Sequence, residues 1–246
     1  MGRLRLRARH VVSVLIGAAL IGALGACGSE SRDRDVVAGK QQFVKKCGAC
    51  HTLARAGTKG TQGPNLDEAF REAIEEGMGR DTVEGAVHDQ IYHPADLPKS
   101  SPAYMPPKIV TGDTAKNVAA YVARVAAAGG KDTGRLADAV KPATSNKPIA
   151  ADNGVLQMPA NPDGQLAYAS TQATATAGEL KIESKNDAQI PHDIALEGNG
   201  VSENGETVQD GGTSEIDVDL KPGTYTYYCT LPGHRAGGME GKLTVK

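Results

Sequence analysis

The sequence predicts two domains in succession, an all-α domain followed by an all-β Greek-key sandwich. Three observations carry that prediction. Apolar residues recur at helical spacing in the first half, at Val36, Gly39 and Phe43 and again at Val118, Tyr121, Val122 and Val125. From Gln165 onward the pattern turns to short alternating runs broken by Gly and Asn. Two groups of Cys, His and Met, one beginning at Cys47 and one at Cys229, lie about 180 positions apart in a chain of 246 residues. That separation exceeds what one compact domain of roughly 150 residues comfortably spans.

In the first half, residues 36–46 read as a helix with Asp35 as its N-cap. A second helix is expected from Asp113 to Ala128, stopped by Gly129-Gly130. A short helical piece fits near residues 133–141. In the second half, strands are expected at residues 166–168, 180–183, 193–196, 214–220, 223–229 and 242–245. Ile216, Val218 and Leu220 show the alternation of a half-buried strand. Turns are signalled by Gly198-Asn199-Gly200, Asn204-Gly205, Asp210-Gly211-Gly212 and Pro222-Gly223. Several short strands with such turns indicate a sandwich.

Residues 1–26 carry the features of an export signal: Arg3, Arg5, Arg7 and Arg9, then the short apolar run from Val11 to Leu24. The run is shorter than the ~20 residues a spanning helix needs. Leu24-Gly25-Ala26-Cys27 resembles a bacterial lipobox, which implies cleavage before Cys27 and lipidation of its sulfur. Residues 27–35 would then be a polar tether, and the protein would be held at the outer face of the cytoplasmic membrane.

Cys47-Gly48-Ala49-Cys50-His51 is the attachment pentapeptide of a c-type haem. Two thiols three positions apart can each add to a haem vinyl group, and His51 is placed to bind the iron. A bare Cys-x-x-Cys also suits a thioredoxin pair or half of a zinc site; the adjacent His and the exported context favour haem. The helix before this motif and the helix closing the domain resemble the layout of class I cytochromes c, in which those helices cross, with Gly39, Phe43 and Tyr121 at the contact positions. The resemblance covers residues 36–130. It implies Met105, in Ser101-Pro102-Ala103-Tyr104-Met105-Pro106-Pro107, as the second iron ligand, with Met78, His88 and His93 as the other candidates. Gly63-Pro64-Asn65-Leu66 also resembles that family, which implies that the Pro64 carbonyl orients His51. Met/His ligation raises a haem potential.

His192, Cys229, His234 and Met239 form the second donor set. A thiolate and two imidazoles with a weak axial Met constitute a blue-copper site. One ligand stands alone and three follow as Cys-x4-His-x4-Met. That loop resembles cupredoxins of the auracyanin and rusticyanin kind over residues 155–246. Asp193 departs from the Asn that many cupredoxins place after the first His; an Asp there would accept from Thr230, and its charge would favour oxidised copper. Each of the four cysteines thus has a motif of its own, without a disulfide. Residues 131–154 read as a linker that permits either docking or independent motion of the two domains.

The net charge of −2 conceals an asymmetry: residues 31–130 hold 13 Lys and Arg against 12 Asp and Glu, and residues 151–246 hold 6 against 14. An acidic domain steers basic partners at low salt and also simply keeps a protein soluble. The whole resembles a fusion of a cytochrome c with a type 1 copper cupredoxin behind a lipoprotein leader. It implies a membrane-tethered carrier of single electrons in a respiratory chain, with one haem c and one copper and no substrate chemistry of its own. A quinol-oxidising complex would be the donor and a terminal oxidase or reductase the acceptor; a nucleic-acid partner is not expected. The alternative is an electron-donating module of a copper-containing reductase or oxidase. A copper nitrite reductase would need a second copper domain, and an oxidase subunit II would need two cysteines in the copper loop, where only Cys229 stands.

Overall fold

In the computed structural model, residues 34–141 and 143–246 are described. The leader, Cys27 and most of the tether lie outside them. Among the described residues, no helix is long and apolar enough to cross a membrane.

The helical half begins with α1 (Val36–Lys46), capped by the Asp35 carboxylate, which accepts from the amides of Val37 and Ala38 at 3.0 Å. A two-stranded ribbon follows, β1 (Thr52–Leu53) against β2 (Thr58–Lys59). Then come α2 (Leu66–Ala69), α3 (Arg71–Glu75), α4 (Arg80–Tyr92) and α5 (Gly112–Val125). The first and last helices cross where Gly39 allows it. A Cβ there would stand 3.0 Å from Tyr121 Cβ and would overlap the Asn117 carbonyl. Phe43 and Tyr121 meet beside that crossing, ring centroids 6.3 Å apart. They share a buried core with Leu53, Ile91, Val118 and Val122.

α5 stops at Val125, three residues short of the expected Ala128. The cause is tertiary. Arg80 donates to the Ala123 and Ala126 carbonyls at 2.8 and 2.7 Å, and the buried Asp67 accepts the Ala127 amide at 3.0 Å. These contacts satisfy the orphan groups of a helix end and turn the chain at Ala127 (φ 56°) before the glycines are reached. α4 has a weak apolar face, burying only Val83 and Ile91, and so left little mark in the sequence pattern.

The connection is anchored rather than loose. Asp132, 2% exposed at its side chain, pairs with Lys40 at 3.1 Å and Arg55 at 2.9 Å and accepts from the Tyr121 hydroxyl at 3.0 Å. A 3₁₀ turn at Gly134–Leu136 follows, and Lys40 also donates to the Leu136 carbonyl at 2.7 Å. Further along, Asn161 donates to the Ala143 carbonyl at 2.8 Å. Residues 34–246 form one compact unit.

The second half is a β-sandwich. Its strands are β3 (Ile149–Ala150), β4 (Val155–Gln157), β5 (Gln172–Ala175), β6 (Gly178–Asn186), β7 (Ala195–Gly198), β8 (Val201–Asn204), β9 (Gly212–Leu220), β10 (Gly223–Tyr228) and β11 (Glu240–Val245). One sheet runs β3-β5-β11-β10-β7-β8, the other β4-β6-β9. β3 lies inside the stretch read as linker, because pairing with β5 recruits it. Residues 166–168, expected as a strand, form only a bridge from Tyr168 to Ala160, and the strand itself starts at Gln172. Pro222-Gly223 carries the chain from β9 in one sheet to β10 in the other. Leu156, Met158, Ile182, Ile194, Leu196, Tyr227 and Leu243 fill the space between the sheets.

Candidate metal centres

The donors of the second half converge. One atom each from His192, Cys229 and His234 lie within 4.8 Å of one another, all three side chains buried. The Nδ1 atoms of the two imidazoles are 3.1 Å apart, and Cys229 Sγ is 3.4 Å from His234 Nδ1. Two nitrogens at that separation match two metal–nitrogen bonds of about 2.0–2.1 Å to one ion.

Local structure sets each donor. The loop after β6 carries His192 and is held by a paired backbone contact with Val208, at 2.9 and 2.8 Å. Asn186 closes the same loop: its amide donates to the Ile190 and Val208 carbonyls at 2.8 Å, and its oxygen accepts the Ala188 amide at 3.0 Å. Cys229 ends β10. The turn that follows bends through Gly233 (φ 81°) and Gly238 (φ 112°) and returns Met239 so that its carbonyl accepts the Cys229 amide at 3.1 Å. Met239 is fully buried in the same apolar cluster as Cys229.

Burial pushes the Cys229 thiol up to about 12. It holds His192 down to about 3, with His234 adding to the effect, and lowers His234 as well. At neutral pH both imidazoles are therefore uncharged and can offer lone pairs. His192 Nε2 is buried without a hydrogen-bond partner. A proton there leaves the Nδ1 lone pair directed at the cluster.

The donors of the first half sit on a tight turn at the end of α1. The Cys50 and His51 amides donate to the Cys47 carbonyl at 3.1 and 2.9 Å. All three described cysteines are free thiols; Cys47 is buried and Cys50 exposed. Burial raises both thiols of the pair, Cys47 to about 12. His51 Nδ1 lies 3.0 Å from the Pro64 carbonyl. A carbonyl only accepts, so Nδ1 carries the proton and Nε2 keeps its lone pair. Gly63 packs on the ring, where a Cβ would stand 2.7 Å from Nδ1.

Met105 is half-buried against the cluster that includes Cys47. The other candidates are placed differently. Met78 is 39% exposed. His93 is exposed and pairs with Asp89 at 3.0 Å. His88 lies against Tyr92, ring centroids 4.9 Å apart.

Residues 36–126 match the model of the cytochrome c family, and residues 157–246 match that of the copper binding proteins of the plastocyanin/azurin family. The chain is a cytochrome c region joined to a cupredoxin domain. Among solved structures it is similar to an auracyanin from Roseiflexus castenholzii, at 24% identity over 43% of this chain and 98% of that one, TM-score 0.31. It is also similar to auracyanin A from Chloroflexus aurantiacus, at 22% identity over 41% and 100%, TM-score 0.33. Auracyanin B matches at 23% over 40% and 94%, TM-score 0.34.

The cytochrome region implies a covalent haem c, and the cupredoxin domain with its His-Cys-His cluster implies a type 1 copper. The residues present fit both groups. Two free thiols adjoin an imidazole with one nitrogen open, and the three converging donors are one sulfur and two neutral imidazoles. Both domains are electron-transfer domains.

Around the cupredoxin cluster, several supporting residues were not foreseen from the sequence. Asn186 and Tyr168, whose hydroxyl donates to the Asp193 carbonyl at 2.6 Å, are single polar residues with no motif. Arg235 also gave no signal. Its guanidinium lies over the Tyr228 ring at 4.2 Å and pairs with Glu197 and Glu240, pinning the turn next to His234 to the sheet.

Proposed function

We propose that the protein is a membrane-tethered, extracytoplasmic carrier of single electrons between respiratory complexes. The observation that carries this reading is the presence of two pre-formed donor sets in one compact unit, each offering a thiol or thioether with imidazole. Cys47 and Cys50 would hold the haem covalently, with His51 and Met105 on its iron. His192, Cys229, His234 and Met239 would hold the copper. When bound, the two groups supply one-electron redox chemistry.

The protein's own task is to hold the donors still and, at the cupredoxin cluster, buried. Pro64 fixes the His51 ring through Nδ1, and Gly63 lets the backbone lie against it. Val208 and Asn186 fix the loop of His192, and the buried Met239 closes the copper loop by accepting the Cys229 amide at its carbonyl. Because the cupredoxin donors and His51 are already placed by backbone contacts, a change of charge needs little rearrangement there.

The lipobox at Cys27 supports the tether. The 14 acidic against 6 basic residues of the stretch 151–246 support steering of basic redox partners. A quinol-oxidising donor and a terminal oxidase or reductase acceptor fit the exported context. The reading is tested on purified holoprotein by metal analysis and potentiometric titration of both chromophores. One reversible one-electron wave is expected for each. A second copper, or turnover of nitrite, oxygen or peroxide, would replace the carrier with an enzyme. An oxidised spectrum lacking the weak near-infrared sulfur-to-iron band would remove Met105. Labelling with a palmitate analogue that survives Cys27→Ser would reject the anchor at Cys27.

A further inference from the structure

The two halves touch at the loops that carry their donors. Gln62 Nε2 donates to the Pro232 carbonyl at 2.6 Å, joining the segment that covers His51 to the turn that leads into His234. A Cβ on Gly233 would stand 2.9 Å from Thr61 Oγ1. Ala49, between the two haem-attachment cysteines, is buried in the apolar cluster of the sandwich. Beside it, Lys46 bonds Gln189, and a Cβ on Gly164 would stand 2.9 Å from the Lys45 carbonyl oxygen. Polar, apolar and backbone contacts therefore coincide on one junction.

The sequence around the junction forms a short relay. His51 Nδ1 bonds the Pro64 carbonyl; Gly63 and Gln62 precede Pro64; Gln62 bonds the Pro232 carbonyl; Gly233 and His234 follow. Only the bond from Gln62 to Pro232 spans the two halves on this path. The rest is covalent or lies within one half.

We propose that this junction is a fixed internal bridge for electrons between the two centres, and that Gln62 is its positioning residue. This rests on the carrier reading above. The step is a single-electron exchange: ferrous haem and Cu(II) become ferric haem and Cu(I), or the reverse as the potentials direct. No bond forms or breaks and no proton moves. Gln62 contributes by holding the Pro232 carbonyl against the haem-side loop, so that the gap is set by a hydrogen bond rather than by diffusion of a tethered domain.

The test uses the full holoprotein. One electron per molecule is injected by a flash-reduced flavin, and the haem and blue-copper bands are followed to equilibrium. Wild type is expected to equilibrate with a first-order rate independent of protein concentration. Gln62→Glu, similar in shape but without the amide donor, and Gln62→Ala are expected to slow it severalfold while both potentials stay unchanged. Nitrogen-15 relaxation of the fully reduced, diamagnetic protein is expected to give one rotational correlation time for residues 36–126 and 157–246. Two correlation times in wild type, or a rate that scales with protein concentration, would overturn the bridge. An unchanged rate in both Gln62 variants would overturn the role of Gln62. The carrier reading fails separately, if either chromophore in wild type cannot be reversibly reduced by external reagents.

Discussion

Asp193 and Thr230 are joined twice: one carboxylate oxygen accepts the Thr230 amide at 2.8 Å, and the other accepts its hydroxyl. The bond ties the residue after His192 to the residue after Cys229, so the separation of two copper donors is set by a neighbouring pair. Asp193 is almost fully buried. Asp193→Asn keeps an acceptor for the amide and offers a donor to the hydroxyl oxygen, while removing a negative charge beside the metal. The copper potential is expected to rise, on the order of 60 mV for a tenfold shift in a one-electron equilibrium, with the blue absorption retained. A potential that falls or stays put in a spectroelectrochemical titration would show that the carboxylate charge is screened from the copper.

Copper loading should release one proton near neutral pH. The metal-free Cys229 is a thiol because burial pushes it up to about 12, whereas metal binding requires the thiolate. His192 and His234 are already neutral and have no proton to give up. Titration calorimetry at pH 7 in two buffers of different ionisation enthalpy measures the number directly. Cys229→Ser should show neither the proton nor the blue absorption.

Acid should weaken the copper-free protein through His192. Its folded value, about 3, lies below the ordinary 6.5, so the unfolded chain binds the proton first. The stability contributed by the neutral ring is present above about pH 6.5 and is lost as the pH falls toward 3. Denaturant unfolding of copper-free protein at several pH values should show that slope, and His192→Gln should flatten it. An identical slope in the variant would assign the acid response to other groups.

Asp132 compensates two cations at once. Asp132→Ala leaves Lys40 inside the cytochrome region without its carboxylate and costs Arg55 its partner. Removing one member of a buried charge cluster costs about 3 kcal/mol or more. Urea unfolding followed at the haem should show the loss. Because Asp132 opens the connection between the domains, their unfolding should also become less cooperative.

Gly39→Ala tests the crossing of the first and last helices. The added methyl meets the Asn117 carbonyl and Tyr121 Cβ. Overpacking of this kind costs roughly 1–3 kcal/mol, which outweighs the gain of roughly 1 kcal/mol in helix propensity. Higher stability in the variant would mean that α1 and α5 can separate freely.

The candidate donors stand out in the primary structure because coordination chemistry demands particular atoms at short separations: Cys47, Cys50 and His51 within five positions, Cys229, His234 and Met239 within eleven. The crossing helices were legible too, through Gly39, Phe43 and Tyr121, as were the longer strands β9, β10 and β11, whose alternation reflects one buried face. Helix α4 was not, since its face buries so little. β3 and β5 were not, since each is short and exists by pairing with a distant neighbour.

Folding alone settled where α5 ends, how the connection is held, and which loops of the two halves meet. Arg80 and Asp67 terminate that helix from 43 and 60 positions away, and Gln62 finds Pro232 across 170. Such contacts follow no local period. A spacing rule registers what one segment must offer a metal or a core, but the meeting of two surfaces depends on shapes that exist only after both have formed.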